Sequence, residues 1–255
     1  MIKLNKPVSR ALILSDLHLG WAMCGRLHRK LLKNLHHLAE NAELIVLNGD
    51  IIDHARRVFS SRGAGRIQYL QKLVNDWKRA GKQVVYIEGN HDSRARADRG
   101  FRPDCSVLDF RGIYNERIRI FHGHDPHSSA GRSYHRNGGI FLALDNFIFA
   151  KVALIRPMMR VILRRLYGFI AWIEDRLCRK GIMEHCRSLA HDADVLVHGH
   201  MHFGPCSYHA GDIQVYRSGS WVSPGQAGTA NTLLRYNMGT FEHLELVGND
   251  WQVRI

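Results

Sequence analysis

Residues 11–20 read Ala-Leu-Ile-Leu-Ser-Asp-Leu-His-Leu-Gly, an apolar run that ends in an acid and a histidine two positions apart. Four apolar residues followed by polar ones have the pattern of a short buried strand. Asp16 and His18 stand at its carboxyl end, where both can lean toward one metal ion if the chain turns there. The arrangement recurs downstream. Leu44–Leu47 runs into Asn48-Gly49-Asp50, and Val84–Ile87 into Gly89-Asn90-His91-Asp92. Arg117–Phe121 runs into His122-Gly123-His124-Asp125, and Val195–Val197 into His198-Gly199-His200-Met201-His202. Between the early runs, Leu27, Leu31, Leu35 and Leu38 form one apolar stripe, and Ile67, Leu70, Val74 and Trp77 form another. Spacing of three to four residues predicts two helices packed on the core. Strand, helix, strand with polar loops at the strands' carboxyl ends is α/β architecture, in which ligands gather at those ends.

Beyond Ile213–Tyr216 the pattern becomes strands without helices: Thr232–Tyr236, Thr240–Val247 and Trp251–Ile255, separated by Asn-Met-Gly and Gly-Asn-Asp turns. These are expected to complete a second sheet through antiparallel hairpins. With 255 residues, 45% of them hydrophobic and 23% charged, the chain reads as a single domain spanning 1–255 and not as a disordered segment. Its formal charge of +13 attracts anions: nucleic acid, phosphorylated metabolites or an acidic membrane surface. Five cysteines without a CxxC pair argue against a disulfide framework or a thiolate zinc site. No signal peptide is legible at the start, so the expected compartment is the cytoplasm.

The regular pattern is interrupted over 135–194, read as a helical insertion forming a lid within the domain. Ile140–Ile173 holds 25 apolar residues among 34, and only six charged ones. No uninterrupted apolar run approaches the ~20 residues of a membrane span. Pro157 breaks the stretch into two helices, and Arg156, Arg160 and Arg164 repeat every fourth residue. Two readings stand: a helical hairpin buried on the sheets, or an insertion whose apolar faces meet lipid while its arginines meet phosphates.

The strand-end residues together form a ligand set. Carboxylate, imidazole and amide donors without thiolates suit Mn, Fe or Zn better than Mg or Ca. Two ions ~3.5–4 Å apart need one bridging carboxylate and about three further ligands each. Asp50 is the expected bridge, with Asp16, His18 and His202 on one side and Asn90, His122 and His200 on the other. His124 competes with His122 for its place, and His122 is favoured because it comes first at the strand end. His198 is expected to pack as a neutral core residue, although the HGHMH run permits ligation.

Taken in order, DxH, GD, GNHD, H and GHxH from Asp16 to His202 resemble the calcineurin-type metallophosphoesterases. That resemblance implies a four-layer α/β sandwich of two mixed sheets flanked by helices, with a dinuclear site at the sheet edge and Mn²⁺ as the expected metal. Within the family the chain is most similar to UDP-2,3-diacylglucosamine hydrolase-like proteins, through SDLHLG at 15–20, GDIID at 49–53, the helical insertion, and Tyr216-Arg217-Ser218-Gly219-Ser220-Trp221. His91 stands where the best-known members carry Arg, which matches a GNHD-bearing branch whose substrate need not be the same. The implied reaction is attack on phosphorus by a hydroxide held between the metals. His91 protonates the leaving oxygen or steadies phosphoryl charge, and Asp92 orients its ring. The implied substrate is a lipid-linked diphosphate cleaved to UMP and a lipid 1-phosphate, a step of lipid A biosynthesis. Its head group is expected near Arg94, Asp125, Arg156, Arg160 and Arg164, its acyl chains against Phe147, and the protein peripheral on an anionic inner membrane. The alternatives are a protein Ser/Thr phosphatase and a cyclic-nucleotide or nucleic-acid phosphodiesterase. Nucleic acid is disfavoured because no aromatic-basic module is evident, and no protein partner is inferable.

Overall fold

All five residues of Leu44–Asn48 are buried, as a strand covered on both faces requires. The chain that places it there runs β1 (Ile2–Lys3), β2 (Arg10–Leu14), α1 (Gly25–Ala39), β3 (Leu44–Asn48), α2 (Ser61–Arg79), β4 (Gln83–Ile87), β5 (Val107–Arg111) and β6 (Arg117–Phe121). It continues through β7 (Val195–His198), β8 (Cys206–Ala210), β9 (Ile213–Arg217), β10 (Thr232–Asn237), β11 (Thr240–Val247) and β12 (Asp250–Val253). This computed structural model describes residues 1–20, 25–53, 61–92, 101–124, 183–200, 206–221, 232–247 and 250–254, with α1 side chains from residue 31 and α2 side chains from residue 64.

The strands form two mixed six-stranded sheets, ordered β12-β11-β10-β2-β3-β4 and β1-β5-β6-β7-β9-β8. In the first, β2, β3 and β4 are parallel, so their carboxyl ends lie side by side. In the second, β6, β7 and β9 are parallel in the same way. Alternation along each strand then sorts side chains into layers. Ile13, Val46 and Ile87 face Ile118, Ile120 and Val197 between the sheets. Leu12, Leu14, Ile45 and Leu47 pack instead on Leu31, Leu35, Leu70 and Trp77 of the two helices. Outside the second sheet, Phe121, Leu196 and Val215 meet Cys186, Met183 and Leu189 from a helical segment at 183–189. Helices, sheet, sheet and helix make four layers, which is the expected architecture.

One expectation is corrected. The C-terminal strands do not build a second sheet of their own. β10 pairs antiparallel with β2, aligning Leu234 with Ile13, and so extends the first sheet. The open side of β2 demands a partner because its residues Ala11–Leu14 are buried. The second sheet instead uses β1, β5 and β8, which the hydrophobic pattern did not reveal. In β5, Asp109 interrupts the apolar run, and Arg119 on the paired β6 neutralises it at 2.7 Å. Of the insertion at 135–194, only 183–194 falls within the described residues. Arg94, Asp125, Phe147, Arg156, Arg160, Arg164 and His202 lie outside them.

Candidate metal centre

The loop after β2 alternates apolar and polar residues. Leu17 and Leu19 are buried in the helix-facing core, which turns Asp16 and His18 the other way. The loop is laced to the one after β3 by backbone bonds from Asp16 N–H to Gly49 O (3.1 Å) and from His18 N–H to Asp50 O (2.8 Å). Among the described residues seven non-glycines have positive φ, and four of them are candidate ligands: Asp16 (53°), His18 (44°), Asp50 (52°) and His200 (67°). Such backbone persists only where surroundings over-determine it, and it concentrates at functional sites. Gly49, at φ 74°, is required twice over, since a Cβ there would overlap the His122 ring.

Asp50 is at the centre. Its Oδ2 lies 3.4 Å from His122 Nε2, 3.7 Å from His18 Nε2 and 3.9 Å from His91 Nε2, while its Oδ1 accepts the His91 backbone N–H at 2.8 Å. Two sets of side chains bring ligand atoms within 4.8 Å of one another: His18, Asp50 and His91, and Asp50, His122 and His200. Asp50 belongs to both. His200 Nδ1 also lies 3.0 Å from Asn90 Oδ1, and Asp16 Oδ2 accepts the His200 backbone N–H at 3.0 Å. Six of the seven expected ligands therefore converge, and the seventh, His202, is outside the described residues. His124 stands beside them, its ring 5.3 Å from that of His122, but it is His122 that joins a ligand set.

The donors fit divalent cations. His122 donates from Nδ1 to Asn48 O at 2.8 Å, which leaves Nε2 as the ligating atom. That Nε2 is buried without a hydrogen-bond partner. Burial would lower the His122 pKa, but Asp50 beside it raises it to about 10. Burial likewise opposes charge on Asp50, yet His122 and His91 hold its carboxyl well below the usual range. A pocket that holds a proton this way also favours a metal, which binds by displacing it. Burial keeps His18 neutral, with its pKa lowered to about 4, and also lowers that of His200.

The expected role of Asp92 is corrected. Its carboxylate takes Ile51 N–H at 2.6 Å, Gly89 N–H at 2.7 Å and the Tyr86 hydroxyl at 2.5 Å, so it pins the loops after β3 and β4 together. The ring of His91 is oriented by Asp53, whose Oδ1 lies 3.1 Å from His91 Nδ1. The other oxygen of Asp53 lies 3.1 Å from His18 Nδ1. This carboxylate, which accepts from both rings, stands three residues past Asp50, and GDIID carried that signal. Tyr86 and the Asn48 carbonyl had none, one being a buried strand residue and the other backbone. The Ser218–Trp221 segment closes the site from behind, through Ser218 N–H to His198 O (2.9 Å) and Trp221 N–H to Asp16 O (3.2 Å).

Among solved structures, a dimetal phosphatase from Danio rerio is 13% identical, with a TM-score of 0.43 over 95% of this chain and 94% of that one. A nuclease MPE from Pseudomonas putida is 17% identical, with a TM-score of 0.36 over 91% and 86%. Vps29 from Chaetomium thermophilum is 11% identical, with a TM-score of 0.45 over 96% and 95%. No curated protein matches the sequence. The profile of the calcineurin-like phosphoesterases matches residues 9–204, which takes in every candidate ligand from Asp16 to His202. The chain belongs to the calcineurin-like phosphoesterase family, and it is a dinuclear metal-dependent phosphohydrolase.

Proposed function

We propose that the chain hydrolyses a lipid-linked diphosphate, most specifically a UDP-2,3-diacylglucosamine-like molecule, to UMP and a lipid 1-phosphate. The observation that carries the reaction is Asp50, shared by two ligand sets at the meeting point of both sheets. We assign Asp16, His18, Asp50, Asn90, His122, His200 and His202 as the residues that hold two divalent ions, Mn²⁺ by family resemblance. When bound, such ions supply Lewis acidity toward phosphoryl oxygens and activate water.

The remaining work falls to the protein's own groups. His91 donates from Nδ1 to Asp53, so its Nε2, on the Asp50 side, is the atom that takes up a second proton, and the imidazolium passes that proton to the leaving oxygen and returns to the neutral ring. Asp92 keeps the two loops in register and does not touch the reacting atoms. Buried Leu17 and Leu19 keep Asp16 and His18 from swinging out of the site.

The lipid reading rests on the sequence of 140–173, apolar and arginine-bearing, and on the SDLHLG, GDIID and YRSGSW resemblances. We assign Arg94, Asp125, Arg156, Arg160 and Arg164 to the head group and Phe147 to the acyl chains, within a single domain whose insertion at 135–194 acts as the lid. Burying about 10 methylenes at about 0.8 kcal/mol each is enough for the insertion to set specificity. The same surface would hold the protein on an anionic cytoplasmic membrane face. No helix among the described residues is long and apolar enough to cross a membrane.

The test compares rates on the diacylated nucleotide sugar and on unacylated UDP-N-acetylglucosamine, with an aryl phosphate as control. A preference of orders of magnitude for the acylated substrate, abolished by Phe147→Asp while aryl phosphate hydrolysis persists, is the expected result. Equal rates overturn the lipid reading and leave the reaction class standing. Turnover of phosphoprotein, cyclic nucleotide or nucleic acid in preference to both would replace it with one of the alternatives.

A further inference from the structure

His198 ends β7, and only 1% of it is exposed. Strand alternation puts its side chain on the outer face of the second sheet, away from the metal centre, where it stacks on Phe121 at 6.2 Å and 28°. Its Nδ1 lies 2.9 Å from the carbonyl oxygen of Gly199. A carbonyl only accepts, so Nδ1 carries the proton and Nε2 of the neutral ring accepts. The donor to Nε2 is the Tyr208 hydroxyl on β8, at 2.8 Å. Tyr208 also interacts with the Cys186 side chain in the helical segment at 183–189. Direction is thereby set along the relay: Tyr208 O–H to His198, His198 N–H to Gly199 O.

The Gly199 carbonyl belongs to the same peptide plane as the His200 N–H. That N–H donates to Asp16 Oδ2 at 3.0 Å, so the plane is gripped at both ends, by His198 on one side and Asp16 on the other. The preceding plane is held as well, through Gly199 N–H to His122 O at 3.0 Å. His200 emerges from this grip at φ 67°, a conformation its side chain does not favour. Nothing about the imidazole of His200 itself selects that backbone.

We propose that His198 and Tyr208 are positioning residues for His200, setting from the outer face of the sheet the peptide plane that aims this ligand at its metal. The inference rests on the assignment of His200 as a ligand. It ties one ion of the pair to the layer formed by 183–189, on the far side of the second sheet from Asp50.

The experiment titrates metal-stripped full-length protein with Mn²⁺, following stoichiometry by calorimetry and the exchange-coupled dinuclear signal by electron paramagnetic resonance. His198→Phe keeps the stack on Phe121 and removes both hydrogen bonds. It should weaken one of the two ions by about 10–100-fold, the usual range for an outer partner, and convert the coupled signal to a mononuclear one. His198→Asn restores a donor near the Nδ1 position and should bring back the coupled signal. Tyr208→Phe should shift the same ion in the same direction by a smaller factor. Two ions bound by His198→Phe as in the unaltered protein overturn the proposal, and so does equal loss of both ions that Asn does not rescue. If the unaltered protein binds fewer than two ions, the metal assignment has failed, a result distinct from either of those.

Discussion

One carboxylate, Asp53, sits 3.1 Å from the Nδ1 atoms of both His18 and His91, and in the proposed mechanism it therefore couples metal ligation to proton transfer. In Asp53→Asn one of the two oxygens becomes an NH₂ group facing a ring N–H, and one imidazole must turn away. Turnover of an aryl phosphate should fall by about 10²–10⁴-fold, and metal affinity by about 10–100-fold. His91→Ala should lower turnover alone, with metal content measured by elemental analysis unchanged. Loss of metal with the His91 side chain would instead make it a ligand, as its place in a set with His18 and Asp50 permits. His122 gives a pH dependence. Its pKa is raised to about 10, so below that value the ring is protonated and a metal must displace the proton. Apparent metal affinity should therefore rise with pH, by up to about tenfold per unit, with proton release on binding. Calorimetric titrations in buffers of different ionisation enthalpy check both the slope and the proton.

At the scale of elements, the first sheet depends on two helices that clamp its outer face. α2 contributes Leu70, Leu73, Val74 and Trp77 to that face, and Trp77 is only 2% exposed. Trp77→Ala should cost about 3–5 kcal/mol of stability by urea unfolding, through lost burial and an unfilled cavity. The strand ends should feel it less, because the loops after β2, β3 and β4 are bound to one another by backbone and by Asp92. Metal stoichiometry of folded Trp77→Ala should accordingly stay at the unaltered value. A stoichiometry that fell with stability would show that the site depends on the helices and not on its own loop network.

For the whole molecule, a formal charge of +13 predicts attraction to anionic surfaces, weakening with salt as screening shortens its range. Co-sedimentation with anionic vesicles should exceed that with neutral ones, and should fall as ionic strength rises. Binding that is indifferent to both lipid charge and salt would remove the membrane from the proposal. Chelation should abolish phosphohydrolysis while the far-ultraviolet circular dichroism persists, because both sheets close through apolar layers that need no metal.

The candidate ligands at the strand ends were legible in the sequence alone, since acids and histidines that follow short apolar runs are read from spacing. The two helices were legible through their apolar stripes for the same reason: period and burial are properties of a local segment. Partners from distant segments are not. The docking of β10 on β2 was decided by an open, buried strand side, a demand visible only once the sheet exists. Asp53 replaced Asp92 as the residue that orients His91 because the loops after β3 and β4 meet in space, 38 positions apart in sequence. His198 looked like a packing residue, and its hold on Gly199 and Tyr208 depends on two strands and a helical segment that only the tertiary structure brings together.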